Sequence, residues 1–210
     1  MRTRAGTRRR AVPATLAVAA LALGACQGNE AAGPPAPASA AAPPAAPQAA
    51  EKARVGTAAD GCALPVSFGI AESWKPKAVR VEADDVLAEL TRRGPLTMAC
   101  EIDAKPAGSI GFLRVWTGPA GEPRPALTAF IGDRAQDAVF TELPIGGRPG
   151  LEVVYRQKSQ LDDALEPERA FLVPTGQGIA VVSLDSFDSD EHDDMLPAYE
   201  LGKAGLTVTG

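Results

Sequence analysis

Residues 168–186 read ERAFLVPTGQGIAVVSLDS. Two apolar runs, 169–173 and 179–184, stand either side of a proline- and glycine-bearing segment, and each has the length and branched-chain content of a strand. Upstream, 139–143 and 151–156 read the same way, so four strands follow one another. Downstream come an acid-rich turn and LPAYELGKAG, residues 196–205. That segment predicts a helix over 194–204, with Pro197 in the first turn where proline is tolerated. Residues 206–209 close as a short strand.

Toward the N-terminus, 66–70 alternates apolar and small residues like a half-buried strand. Trp74 and Pro76 mark a turn, and 78–81 returns as a second strand. Asp84 is placed to N-cap a helix over 85–92, with Val86, Leu87 and Leu90 on one face and Gly94-Pro95 as the stop. Strands are expected at 97–102 and 110–116, joined by the turn-rich 103–108. A helix is expected over 125–137, with Leu127, Phe130, Ile131 and Ala135 inward. This is the α+β class, an antiparallel sheet with helices packed on it.

The opening hairpin with Trp74-Lys75-Pro76, together with 168–186 and 196–205, resembles a PsbP-like domain. It is similar to the LpqN-type lipoproteins of actinobacteria, which carry this fold behind a lipid-attachment motif and a tether. The likeness covers 64–209 in order of elements, and the Cys62–Cys100 pair and the Asp84 helix depart from the family's pattern. It implies a central antiparallel sheet flanked by helices and a binding or accessory role without catalytic residues.

The first 25 residues have an address of their own. Five arginines (Arg2, Arg4, Arg8, Arg9, Arg10) precede the uncharged apolar run 11–23. That run is shorter than the roughly 20 residues a spanning helix needs, and its basic start and small-residue end make a secretory signal peptide over 1–25. The arginines read as an ordinary n-region, since Ala11-Val12-Pro13 matches a twin-arginine pattern poorly. Leu23-Gly24-Ala25-Cys26 resembles the bacterial lipobox, in which the cysteine thiol takes up a diacylglycerol and becomes the first mature residue. An ordinary signal peptide with a chance cysteine is the alternative. The partner implied is membrane lipid through acylated Cys26, and two chains make a sufficient anchor where one does not.

Residues 26–56 are expected to be a disordered tether. The stretch 31–50 has no charge and no aromatic, and Pro34, Pro35, Pro37, Pro43, Pro44 and Pro47 interrupt every helical turn. Roughly 30 residues at about 3.1 Å each reach about 90 Å when fully extended. One globular domain is expected over 57–210, where all ten aromatics lie.

Removing the five leader arginines from 21 basic residues leaves 16 against 26 acids, a mature net charge of −10. Such a surface repels nucleic acid and anionic headgroups, so neither is expected as a partner. Cys62 and Cys100, an even pair in an exported chain, read as a disulfide; two separate thiols are the alternative.

Catalytic sets are scarce. The single histidine, His192, lies in an acidic stretch and reads as a solvated surface residue. Gly108-Ser109-Ile110-Gly111 puts its serine one place too early for a nucleophile elbow. No phosphate-cradling glycine motif or paired-cysteine metal motif occurs, so no cofactor is expected. The acids Asp185, Asp188 and Asp190 are a calcium candidate, set against the simpler role of capping a helix start. Asp162 and Asp163 read as a hairpin loop, and Trp74 and Trp116 as core.

The function expected is a non-catalytic binding or accessory module, lipid-anchored on the extracytoplasmic face of the cell membrane, with an envelope protein as partner. A small apolar ligand, a calcium ion, or a purely structural envelope role are the alternatives. Oligomeric state is left open.

Overall fold

The computed structural model describes residues 47–80, 88–159 and 162–209. The described residues belong to one compact unit, Pro44–Gly210. The signal peptide, Cys26, residues 31–46, Asp84 and the first turn of the helix expected at 85–92 lie outside the described residues.

In chain order the strands are β1 (Ala53–Val55), β2 (Val66–Ile70), β3 (Lys75–Ala78), β4 (Arg92–Arg93), β5 (Leu96–Asp103) and β6 (Gly111–Gly118). Helix α1 (Pro123–Ile131) follows, then β7 (Gln136–Ile145), β8 (Arg148–Lys158), β9 (Leu165–Thr175) and β10 (Gly178–Ser186). Helix α2 (Ser189–Ala204) and β11 (Thr207–Val208) complete the chain. One eight-stranded antiparallel sheet has the order β3-β5-β6-β10-β9-β8-β7, with β4 added beside β5; β1-β2-β11 form a second, three-stranded sheet. The domain is thus α+β but dominated by sheet.

The quoted stretch forms β9 and β10 at the heart of the large sheet. Strand β10 is buried on both faces, which is why it reads as a continuous apolar run. Ala180, Val182 and Leu184 point to one core with Phe171 and Val173 of β9, Phe68 of β2, and Met195 and Tyr199 of α2. Ile179 and Val181 point to the opposite core with Leu172, Trp116, and Leu127 and Phe130 of α1. So α2 and the small sheet cover one face, and α1 covers part of the other. Trp74 and Trp116 are both buried, as expected.

Several boundaries move, each for a local reason. The domain expected to begin at 57 already includes β1, whose Ala53, Arg54 and Val55 pair with Ile70, Gly69 and Phe68. Pro76 sits inside β3 rather than in a turn. It is tolerated because β3 is an edge strand, where a missing N–H breaks no ladder. The turn lies earlier, at Ser73, with φ 68°. Of the helix expected at 85–92, the described part is a single 3₁₀ turn, Ala88–Thr91, which runs into β4. Helix α1 starts at Pro123, an N1 proline, and stops at Gly132, whose φ is +70°. Helix α2 starts at Ser189, over a turn earlier than expected, so Pro197 falls inside it rather than in its first turn. Asp188 makes that start: its Oδ1 accepts from the Glu191 N–H at 2.9 Å. Between β7 and β8, Gly146 and Gly147 both have positive φ, the demand of a two-residue primed turn.

Candidate functional site

The strands run on beyond the reach of α1, and their same-face residues then change from apolar to polar. On β10, Ile179 and Val181 give way to Ser183 and Asp185; on β9, Ala170 and Leu172 have Glu168 and Glu166 as period-two neighbours; on β8, Leu151 and Val153 lead to Tyr155 and Gln157. The result is a cleft of about 380 Å³, within the roughly 300–1,000 Å³ of ligand pockets.

Arg93 marks the boundary between the apolar and polar halves. Its guanidinium lies 5.1 Å from the ring centres of both Trp116 and Phe130 and donates from Nη2 to Asp185 Oδ1 at 3.0 Å. Burial acts to lower its pKa, and the charge of its ion-pair partner Asp185, the largest of the raising influences, helps to carry it above its ordinary value. Asp185 is held from two more sides. Trp116 Nε1–H donates to Ser183 Oγ (3.0 Å), whose hydroxyl donates to Asp185 Oδ2 (2.6 Å), and Arg114 Nη1 stands 3.7 Å from the same oxygen. Arg114 also donates from Nε to Glu101 Oε1 at 2.9 Å and stacks over Phe112. The two arginines and Asp185 are therefore mutually satisfied.

Tyr155 and Glu168 sit beside them. They are directly opposite in the β8–β9 register, so their side chains are neighbours on one face. Glu168 Oε2 is buried without a hydrogen-bond partner, whereas the buried Tyr155 phenol is in hydrogen-bonding contact with the Arg93 guanidinium. Burial, followed by the charge of Asp185, pushes the Glu168 carboxyl well above the usual range against the pull of Arg93 and Arg114. Burial likewise raises the Tyr155 phenol, with Glu168 and Asp185 adding to it and Arg93 opposing it. Glu168 lines the cleft beside Gln157 and Asp185, and Tyr155 is buried next to it. At the mouth, Phe187 is 52% exposed.

A second polar cluster lies on the opposite face, under α2. Glu152 Oε1 accepts from Tyr199 Oη (2.8 Å) and Lys203 Nζ (3.0 Å), and Lys203 also donates to Glu200 Oε1 (2.7 Å). Arg169 Nη1 stands 3.8 Å from Glu200 Oε1 and lies over the Tyr199 ring. This network is closed on itself and seats the helix. A separate apolar groove of about 490 Å³ lies between the start of α1 and the β7–β8 hairpin, with Pro123, Pro125, Leu143, Pro149, Leu151 and Pro174 along it.

The sequence-level candidates fare unequally. Cys62 and Cys100 form a disulfide with Cα atoms 5.9 Å apart, tying the β1–β2 connection to β5. Asp162 and Asp163 do lie in the β8–β9 loop, where Asp163 Oδ1 is 2.8 Å from Lys158 Nζ. The calcium set does not come together: Asp185 is engaged by Arg93, Arg114 and Ser183, Asp188 caps α2, and Asp190 faces solvent. Among the described residues no His, Cys, Asp or Glu side chains converge as a metal site. His192 is 1% exposed rather than solvated, because the earlier start of α2 turns it onto the sheet. None of Arg93, Tyr155 or Glu168 was singled out by the sequence; the one available signal was polar residues at period two ending apolar strands.

Among the described residues no helix is long and apolar enough to cross a membrane. No curated protein is significantly similar to the chain in sequence. Among solved structures, the solution structure of cyanobacterial PsbP (CyanoP) from Synechocystis sp. PCC 6803 is similar at 14% identity, with a TM-score of 0.46, covering 75% of this chain and 92% of that one. The model of one protein family, described as an uncharacterised lipoprotein, matches residues 32–206, and the chain belongs to that family of lipoproteins.

Proposed function

We propose that this lipoprotein is a non-catalytic binding module of the cell envelope, held on the extracytoplasmic face of the membrane through acylated Cys26. The family match supports a lipoprotein, and Leu23-Gly24-Ala25-Cys26 supports attachment at that thiol. The PsbP-like, LpqN-type reading rests on the order of elements from the Trp74 hairpin to the closing helix and strand. The observation that carries a binding role is the cleft itself, where Arg93, Arg114, Glu166, Glu168 and Asp185 gather within about 380 Å³ beside the exposed ring of Phe187. The non-catalytic part of the reading rests on the sequence, where Gly108-Ser109-Ile110-Gly111 puts its serine one place too early for a nucleophile elbow.

The test uses an envelope extract and two chains, the wild type and the double variant Glu168→Gln/Phe187→Ala. The extract should raise the unfolding temperature of the wild type and leave that of the double variant unmoved. Equal shifts, or none, would sink the cleft as a binding site. Cys26→Ser should release the protein from membranes in the same cells. The apolar groove beside α1 favours a second reading, binding of a small apolar ligand, and its signature would be a shift retained by the double variant and lost on Leu143→Asp.

A further inference from the structure

Two large apolar side chains stand in solvent at one end of the large sheet, Ile110 at 57% exposure and Phe187 at 52%. Each lies one residue beyond Gly111–Ser186, the last pair of the β6–β10 ladder, so they are neighbours in position at the strand ends. Neither belongs to either core. Helix α2 begins at the same end. Its Glu191 accepts from the Ile110 N–H at 2.9 Å, and Phe187 immediately precedes its cap, Asp188.

The chain heads from its anchor to this end. Arg54 donates to the Gly205 carbonyl just past α2, whereas the Ala49 N–H donates to the Pro197 carbonyl in the middle of the helix. Stepping back from Arg54 to Ala49 thus moves the contact by two helical turns toward the start of α2, about 12 Å at about 1.5 Å per residue. Followed back to residue 47, the chain therefore runs toward the end that carries Ile110 and Phe187. Only Gln27 to Ala46, 20 residues, separate that point from Cys26. A chain of that length spans about 25 Å as a coil and about 60 Å at full extension. A surface held so close acts as an intramolecular partner at an effective concentration in the millimolar range, so two apolar side chains suffice where they would not hold a free protein.

The charge at this end decides the occupant. Asp188, Asp190 and Glu191 stand at the start of α2, and Glu166 accepts from Ser189 beside them. Anionic headgroups would be repelled, and a second copy of the chain would bring the same acids face to face. A zwitterionic headgroup meets neither conflict: its ammonium can lie against these acids and its phosphate against exposed Lys105 in the β5–β6 turn.

We propose that this end of the domain docks on the membrane that holds acylated Cys26, with Ile110 and Phe187 entering the headgroup–acyl boundary of zwitterionic phospholipid. The proposal rests on the reading of Cys26 as the anchor. Docking turns the mouth of the cleft, which Phe187 lines, toward the bilayer.

The test uses the full mature lipidated chain in vesicles of phosphatidylcholine and phosphatidylethanolamine, with and without bromine in the acyl chains. Tryptophan replaces Phe187 in one variant and Val139, 63% exposed on edge strand β7, in another. Brominated lipid should quench the emission added at 187 and leave that added at 139. Ile110→Ser in the Phe187→Trp chain should cut the quenching severalfold at an unchanged unfolding temperature. No quenching at 187, or equal quenching at both positions, in a chain that sediments with the vesicles overturns the docking and leaves the anchor standing. A blue shift at 187 that grows with the concentration of the Cys26→Ser chain in lipid-free buffer means that a second copy covers this end, and overturns it as well. Cys26→Ser should leave the vesicles and lose the quenching; sedimentation equal to the wild type overturns the anchor reading itself, whatever the quenching at 187.

Discussion

Arg169 on β9 donates its Nε–H to Nε2 of His192 on α2 at 3.2 Å, so the imidazole accepts at Nε2 and carries its proton at Nδ1, which has no partner. Burial first, and the Arg169 charge second, lower its pKa to about 4 against a weaker opposing pull from exposed Asp193. Between about 4 and the ordinary 6.5 the unfolded chain binds a proton that the folded chain excludes, so stability falls as pH drops through that window. The upper bound on the loss is about 3 kcal/mol. His192→Gln keeps an acceptor for Arg169 and should flatten the slope; urea unfolding at pH 7 and pH 4.5 decides it, and parallel slopes in both chains would refute the assignment.

Tyr155→Phe removes a buried phenol that the Arg93 guanidinium contacts, so it should weaken the domain by about 1 kcal/mol in chemical denaturation. An unchanged stability would mean that the phenol does nothing to hold Arg93.

Glu168 carries the opposite sign from the histidine. Its folded pKa is raised, so its contribution to stability is fully present below the usual carboxylate range and is lost as pH rises through the folded value. Glu168→Gln should therefore stabilise at pH 7, with the gain fading as pH falls toward 4.5. A pH-independent difference between the two chains, followed by thermal unfolding, would contradict this.

Lys203 Nζ lies 3.0 Å from Glu152 Oε1, and it shares itself with Glu200 in a nearly dry setting. Lys203→Ala leaves two buried carboxylates short of a partner and should cost about 3–5 kcal/mol. Lys203→Ala combined with Glu152→Gln should recover part of that, which a double-mutant cycle measures.

The Cys62–Cys100 bridge closes a loop of 38 residues' separation between two buried sulfurs. In the chain-entropy account its removal costs about 4 kcal/mol. Cys62→Ala/Cys100→Ala should show that loss in chemical denaturation; a change under about 1 kcal/mol would show that the surrounding core already holds the two sheets together.

The central strands were legible because burial on both faces writes an uninterrupted apolar run, as in 179–184. The start of α2 was not, because its inward face mixes His192 and Glu200 with Met195 and Tyr199, and no apolar stripe stands out from the acids. Strand β1 was missed because three residues, Ala53-Arg54-Val55, carry too little pattern to separate from the tether before them. The cleft escaped for a different reason. Tyr155 and Glu168 become neighbours only through the β8–β9 register, and register is a property of the paired strands, not of either sequence alone.

The placement of β1 has a mechanical consequence. A pull on the chain upstream of residue 47 loads first the Ala49–Pro197 hydrogen bond and the three β1–β2 pairs, which Arg54 reinforces by donating to the Gly205 carbonyl at 2.8 Å. If these give way, the peeling front reaches Cys62 and stops, because that residue is covalently fastened to β5 in the large sheet. Residues 49–61 are therefore a short sacrificial segment with a covalent stop, and tension that unravels them leaves Tyr155 and Glu168 where they are.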